Sequence, residues 1–333
     1  MTTNTILNLD NPFGLADLSA HVENMKPNPG VVKQSGIFSE MFADQRLVSF
    51  DIEDHKGEML PVPEGVFNHA EKNVLKTATF SLTRYHMERR ISAEEVMRYR
   101  RAGSAGATML SDVIAKNLMQ IRTEMDLTIE RTRIRSLVDG KVIGYNGQVN
   151  VDWYAENGLV QAEVDLALGS SSTEVHTKIQ DALTLARAGG NYGASGYACF
   201  MSPTLFNKFV GHRSVKDAFT LSQSINPYKD GIQSGVAGAR VFPFAGVTFL
   251  EVPDINSAMP NMEGRLVAVG GDLYRTYFAP VYSFSNDMDA IVPRKLYVKQ
   301  FSDERETHLT ISAEMILGNV LTMPASVVRV FSA

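Results

Sequence analysis

The chain has 333 residues, 44% hydrophobic and 21% charged, a balance that fits a globular protein and excludes a disordered one. Its 32 basic and 37 acidic residues give a formal charge of −5, where a dedicated nucleic-acid binder would show a basic excess. One cysteine, Cys199, excludes an internal disulfide framework and a Cys-based zinc site.

Cys199 is expected as a reduced, half-buried thiol in a strand. The opening Met1–Ile6 has neither a basic nor an apolar signal region, and no stretch approaches the roughly 18 apolar residues that cross a bilayer. The expectation is a soluble cytosolic chain.

Residues 1–43 are thin in apolar residues and carry Asn11-Pro12 and Lys26-Pro27-Asn28-Pro29-Gly30. They suggest an irregular arm with one short helix near Leu15–Val22, either a loose tail or an arm that orders against another subunit. Leu47, Val48, Phe50 and Ile52 then read as a strand leading into the turn signal Asp54-His55-Lys56-Gly57. Leu60 and Val62 suggest a second strand, which Pro61 and Pro63 confine to an edge, and Val74–Thr83 is another β run. A two-stranded hairpin is marginal alone, so this one is expected to reach out onto a neighbour.

Helices are expected after Arg84. Ser92 and Glu95 form a capping box flanked by Ile91 and Val96, and Gly103 and Gly106 end that short helix. Leu110, Ile114, Leu118, Ile121, Met125 and Ile129 recur every three or four residues, predicting a helix over 108–138 that Asp139-Gly140 stops. Such a helix spans roughly 45 Å and runs the width of the molecule as a spine.

Between 173 and 282 the element types alternate. Ser171–Glu174 starts a helix with Val175, Ile179, Ala182, Leu183 and Ala186 inward, and Tyr197–Met201 is a short buried strand. Ser202-Pro203 opens another helix, with Leu205, Phe206, Phe209 and Val210 inward. Val247–Val252 and Leu266–Val269 are further strands. The last 50 residues return to β at 295–301, 307–317 and 327–331, with an acidic turn at Asp303–Glu306. The fold class is α+β.

Chemical motifs are sparse. Walker A, GxGxxG, HExxH and EF-hand patterns are missing, and Gly193-Ala194-Ser195-Gly196-Tyr197 lacks the last glycine of a nucleophile elbow, so it reads as a turn. Asp287 and Asp289 share a face of an extended segment; a solvated or salt-bridged edge is the plainer reading than a metal site. His21, His55, His69, His86, His176, His212 and His308 show no ligand spacing. Gly103–Gly106 reads as a linker between helices rather than an anion nest.

A run of arginines, Arg84, Arg89, Arg90, Arg98, Arg100 and Arg101, continues on the spine as Arg122, Arg131, Arg133 and Arg135. Acids Glu88, Glu94, Glu95, Glu124, Asp126 and Glu130 are interleaved, which favours ion pairs within or between subunits over direct DNA contact. No catalytic, cofactor-binding or metal-binding residue is assigned, and no cofactor is expected.

The order of segments resembles the tailed-phage major capsid proteins of the lambda-like (E-type) family, with the Hong Kong 97-type fold. The likeness lies in Asp51–Gly57 with Leu60-Pro61-Val62-Pro63-Glu64-Gly65, and in Phe80–Ile91. It continues in Gly270–Tyr274, Asn286–Ala290, Leu296–Gln300 and Val320–Pro324. The resemblance implies an N-terminal arm (1–43), an E-loop (44–84), a peripheral domain (85–172 and 283–333) and an axial domain (173–282).

It further implies a structural protein, not an enzyme, that self-assembles into hexamers and pentamers of an icosahedral phage head around double-stranded DNA. Its implied partners are a separate scaffolding protein, since the arm is short, a portal and a decoration protein, with no membrane. It would be located in the virion, and in the host cytoplasm during assembly. Relatives crosslink an E-loop lysine to an asparagine; Lys56 sits at the turn, but no catalytic acid or acceptor can be placed, and no crosslink is expected. The alternatives are a nanocompartment shell of the same fold and a soluble α+β enzyme using 173–282. A compact monomer of this mass exposes about 13,500 Å², and a capsid subunit should exceed it.

Overall fold

The computed structural model describes residues 15–25, 30–53, 74–98, 106–189, 194–220, 233–234, 239–253, 258–270, 272–281, 294–302 and 308–333. Two sheets organise the chain. The first is built on the long strand His308–Leu321, whose alternating apolar residues are buried along nearly its whole length. Thr83–Ser92 pairs antiparallel along 308–317. On the opposite edge Tyr297–Ser302 and Tyr274–Ala279 follow one another end to end, pairing with 309–314 and 316–321. Phe38–Phe42 adds a parallel strand beside Tyr274–Ala279.

The second sheet has seven strands in the order 163–165, 328–331, 263–269, 196–201, 247–251, 240–244 and 233–234. Helices Val175–Ala188 and Pro203–Gly211 pack on it through the inward residues expected from their spacing, all of which are buried. Ser202 Oγ accepts from Leu205 N at 3.4 Å, with Pro203 at the first helical position. The strand pairing crosses the segment boundaries drawn from sequence. Tyr274–Ala279 lies in the first sheet, whereas 163–165 and Val328–Phe331 lie in the second.

The spine helix runs from Gly106 to Asp139, 34 residues or about 51 Å. Leu118, Ile121, Met125 and Ile129 pack on Ile311, Ala313, Met315 and Leu317 of the long strand. Gly140 ends the helix in the left-handed region (φ 64°), and a Cβ there would lie 2.3 Å from the Tyr154 ring, so glycine is required twice over.

Two segments differ from the sequence expectation. Thr83–Ser92 is a strand where helices were expected. Its alternation turns Tyr85, Met87, Arg89 and Ile91 inward and leaves Arg84, His86, Glu88 and Arg90 exposed, a pattern masked by the charge. The helical capping at its end does form, with Glu95 N donating to Ser92 Oγ at 3.2 Å. The second is the arm. Leu15–Asn24 is helical, but Val31–Gln34 is a second helix, Phe38–Phe42 is a sheet strand, and Val31, Val32, Ile37 and Phe38 are buried.

Charges on the spine hold that arm. The Glu130 carboxylate accepts from Val32 N at 2.6 Å and Lys33 N at 3.1 Å. Burial pushes its carboxyl above the ordinary value, with the two backbone donors opposing that rise. Lys33 lies 3.5 Å from Asp126, itself paired to Arg122 at 3.0 Å. Buried Arg133 donates to Glu40 and to Thr276 Oγ1, each at 3.0 Å, and Lys295 also pairs with Glu40. Burial would raise the Glu40 carboxyl, but hydrogen bonds from Lys295 and Arg133 outweigh it and hold it below the ordinary carboxylate value.

The two sheets meet at the C-terminal end of the spine. Arg265, buried in the second sheet, donates from Nη2 and Nε to the Val138 carbonyl at 3.1 and 3.3 Å, and from Nη1 to Glu263 at 3.0 Å. This caps one of the last helix carbonyls, which has no intrahelical partner. Replacing Arg265 by Met keeps the bulk and loses the cap. We expect a loss of about 2–3 kcal/mol, the worth of hydrogen bonds to a charged group, read from the urea midpoint at constant slope.

A second prediction concerns pH. Because the folded Glu40 pKa is depressed, its contribution is present above the ordinary carboxylate pKa and is lost as pH falls below that through the folded value. Glu40→Gln should therefore lower the thermal midpoint at neutral pH and narrow its gap from the parent in acid. An equal gap at both pH values would show that the pair contributes nothing.

Candidate assembly surfaces

Leu47–Glu53 and Val74–Ser81 form an antiparallel hairpin with no third strand among the described residues. Its base is not free-standing. Val48, Ala78 and Phe80 are buried with Ile134 and Leu137 of the spine, and Phe80 meets Trp153 edge-on at 5.5 Å. Trp153 is fixed in turn by donating from Nε1 to the Asn319 carbonyl at 3.2 Å. Leu47, 60% exposed, is on the outer side of this base. The expected tip, including Lys56, Leu60 and Val62, lies outside the described residues.

Beside it stands a smaller hairpin, Lys141–Ile143 paired with Val149–Asp152. Thr83 Oγ1 donates to the Ile143 carbonyl at 3.1 Å and Asn150 Nδ2 to the Ser81 carbonyl at 3.3 Å, joining the two hairpins side by side. Its turn uses left-handed conformations at Asn146 and Gly147 and presents Tyr145, 83% exposed, with Val149 half-exposed on the following strand. No chemical motif marks this surface in the sequence. Its signal was the Tyr145-Asn146-Gly147 turn, an aromatic placed where chain reversal forces exposure.

The arginine series pairs largely within the chain. Arg84 forms a two-pronged pair with Glu314 at 3.0 and 2.6 Å, a hydrogen bond that raises the guanidinium pKa further. Arg89 reaches Gln120 at 2.8 Å and pairs with Glu124. Arg122 and Arg133 are held as described above, and the side chains of Arg98, Arg100 and Arg101 lie outside the described residues. Two of the interleaved acids, Glu124 and Asp126, together with the more distant Glu314 and Glu40, thus neutralise cations that a phosphate backbone would need.

The remaining candidates make local packing and hydrogen-bond contacts where they are described. Ser195 Oγ donates to the Val269 carbonyl at 3.0 Å, as a turn residue would. Cys199 is fully buried rather than half-buried, because its strand is central in the second sheet, and burial pushes its thiol pKa far up. His212 bridges the Ser170 carbonyl (2.9 Å) and Ser214 N (3.2 Å), and His176 stands edge-on to Phe244. Among the described residues no group of three or more His, Cys, Asp or Glu converges to hold a metal, and no helix is long and apolar enough to cross a membrane. Gly103–Ala105, Asp287 and Asp289 lie outside the described residues. The chain exposes 18958 Å², well above the compact-monomer figure.

Comparison with known proteins agrees with this geometry. The major capsid protein of Pseudomonas phage KPP10 is 26% identical over 352 residues, covering 97% of this chain and 98% of that protein. The capsid structure of Cyanophage P-SCSP1u matches with a TM-score of 0.54 at 12% identity, over 89% of this chain and 86% of that one. A prophage protein from E. coli CFT073 matches with a TM-score of 0.61 at 12% identity, over 96% and 99%. The fold is therefore of the Hong Kong 97 type. Residues 14–332 match the family model described as phage major capsid protein E, and the chain belongs to that family.

Proposed function

We propose that this capsid shell protein assembles as hexamers and pentamers into an icosahedral phage head around double-stranded DNA. That it is a virion shell protein and not an enzyme follows from the family, which does not favour a nanocompartment shell or a soluble enzyme. The observation that carries the assembly reading is the exposed area of 18958 Å², set against about 13,500 Å² for a compact chain of this mass. Surface of that excess, with two hairpins side by side, is what a subunit meeting several neighbours needs.

In this reading the first sheet and the spine form the peripheral domain. The second sheet, with Val175–Ala188 and Pro203–Gly211, forms the axial domain around the capsomer axis. The formal charge of −5 and the internally paired arginines suit a wall that retains DNA without sequence-specific binding. Leu18, Val22, Val31, Val32, Ile37 and Phe38 of the arm are built into the subunit's own core, so scaffolding is assigned to a separate protein. A portal and a decoration protein complete the expected partners, and assembly is placed in the host cytoplasm.

Negative-stain microscopy of the expressed chain should show closed shells or flat sheets of hexamers. A uniform 36.7 kDa monomer would overturn the proposal. Particles boiled in detergent should run as a single band of monomer mass, whereas a ladder would reveal covalent crosslinks.

A further inference from the structure

A small open pocket lies between the last turns of the spine helix, the strand Lys141–Ile143 and the end of the long strand. Tyr85, Arg135, Lys141, Val142 and Leu317 are on its wall. Arg135 is exposed and makes no hydrogen bond or ion pair with another described residue, although its charge acts on the half-buried Tyr85 phenol. It stands apart from Arg122 and Arg133, which are fully engaged on the same helix. Lys141 already holds Asp152 at 3.4 Å, so among the described residues the pocket's unpaired positive charge is that of Arg135. Exposed Tyr145 and Val149 belong to the hairpin that forms the pocket's wall. An arginine and a tyrosine beside an apolar patch are the residue types that concentrate binding energy at protein interfaces.

We infer that this pocket receives an aspartate or glutamate side chain from a second copy of the chain, with the Lys141–Asp152 hairpin forming the rest of the contact. The inference rests on the shell reading above. A carboxylate fits because it accepts two parallel N–H bonds from a guanidinium and carries the one charge the pocket lacks. A DNA backbone fits poorly, since it needs a row of unpaired cations and the neighbouring ones are neutralised. Every copy brings an excess of acids, its formal charge being −5.

The test uses particles assembled from a mixture of unlabelled and nitrogen-15-labelled full-length chain, treated with a carbodiimide that joins amines to carboxylates in contact. We expect a link from Lys141 to an Asp or Glu carrying the other isotope label. We also expect Arg135→Ala to reduce particle yield about tenfold or more, as loss of an interface anchor does. Its thermal midpoint should match the parent, because the guanidinium bonds to no other described residue, and Arg135→Lys should restore part of the yield. Lys141 linked solely to Asp152 of its own chain, with Arg135→Ala assembling at parental yield, would overturn the inference. Failure of the shell reading would look different, as an unaltered chain that gives no particles.

Discussion

The structure depends on one constraint: a 34-residue helix that is buried on two faces at once. One face is apolar and rests on the first sheet through Leu118, Ile121, Met125 and Ile129. The adjacent stripe is charged, with Asp126, Glu130 and Arg133 at the same helical spacing and all buried. Buried charge is costly unless hydrogen-bonded and paired. The partners come from the arm, as the backbone N–H groups of Val32 and Lys33, the Lys33 ammonium and the Glu40 carboxylate. The arm folds back because the spine cannot be buried without it. Gly30 fits this arrangement closely, since a Cβ there would lie 2.0 Å from the Glu130 carboxyl carbon.

The same economy governs the sheet edges. Tyr297–Ser302 borders the first sheet, where unpaired backbone groups would invite pairing with other chains. The arm helix lies along it, and Ser19 Oγ accepts from Val298 N at 2.9 Å, satisfying an edge donor with a side chain. Glu23 adds a bond from Lys295 N at 3.0 Å. An assembling protein has particular need of this, because wrong edge-to-edge contacts compete with the right ones.

Where the spine ends, the two sheets and the main hairpin converge. Arg265 caps the helix, Trp153 pins the last residues of the long strand, and Phe80 lies against that tryptophan. The hairpin is therefore rooted in a buried core cluster. Its direction is set by the core, and whatever it touches is positioned relative to both sheets. On the two hairpins Leu47 and Tyr145 are left exposed.

Much of this was legible in the sequence because it is local. The spine helix, the inward faces of Val175–Ala188 and Pro203–Gly211, and the strands near 197, 247, 266 and 297 follow from periodicity and capping, which need no distant partner. Family resemblance was legible through the order of segments. What tertiary structure decided was which strand joins which sheet, since strand pairing connects residues hundreds of positions apart. Val328–Phe331 reads as a strand from its residues, but only its pairing with 263–269 puts it in the second sheet. Thr83–Ser92 and the arm were missed because the segments that hold them, the long strand, Tyr274–Ala279 and the spine's Glu130, are remote in sequence. Composition gave a weakly acidic globular chain. Long-range charge pairing decided which of those charges lie inside it.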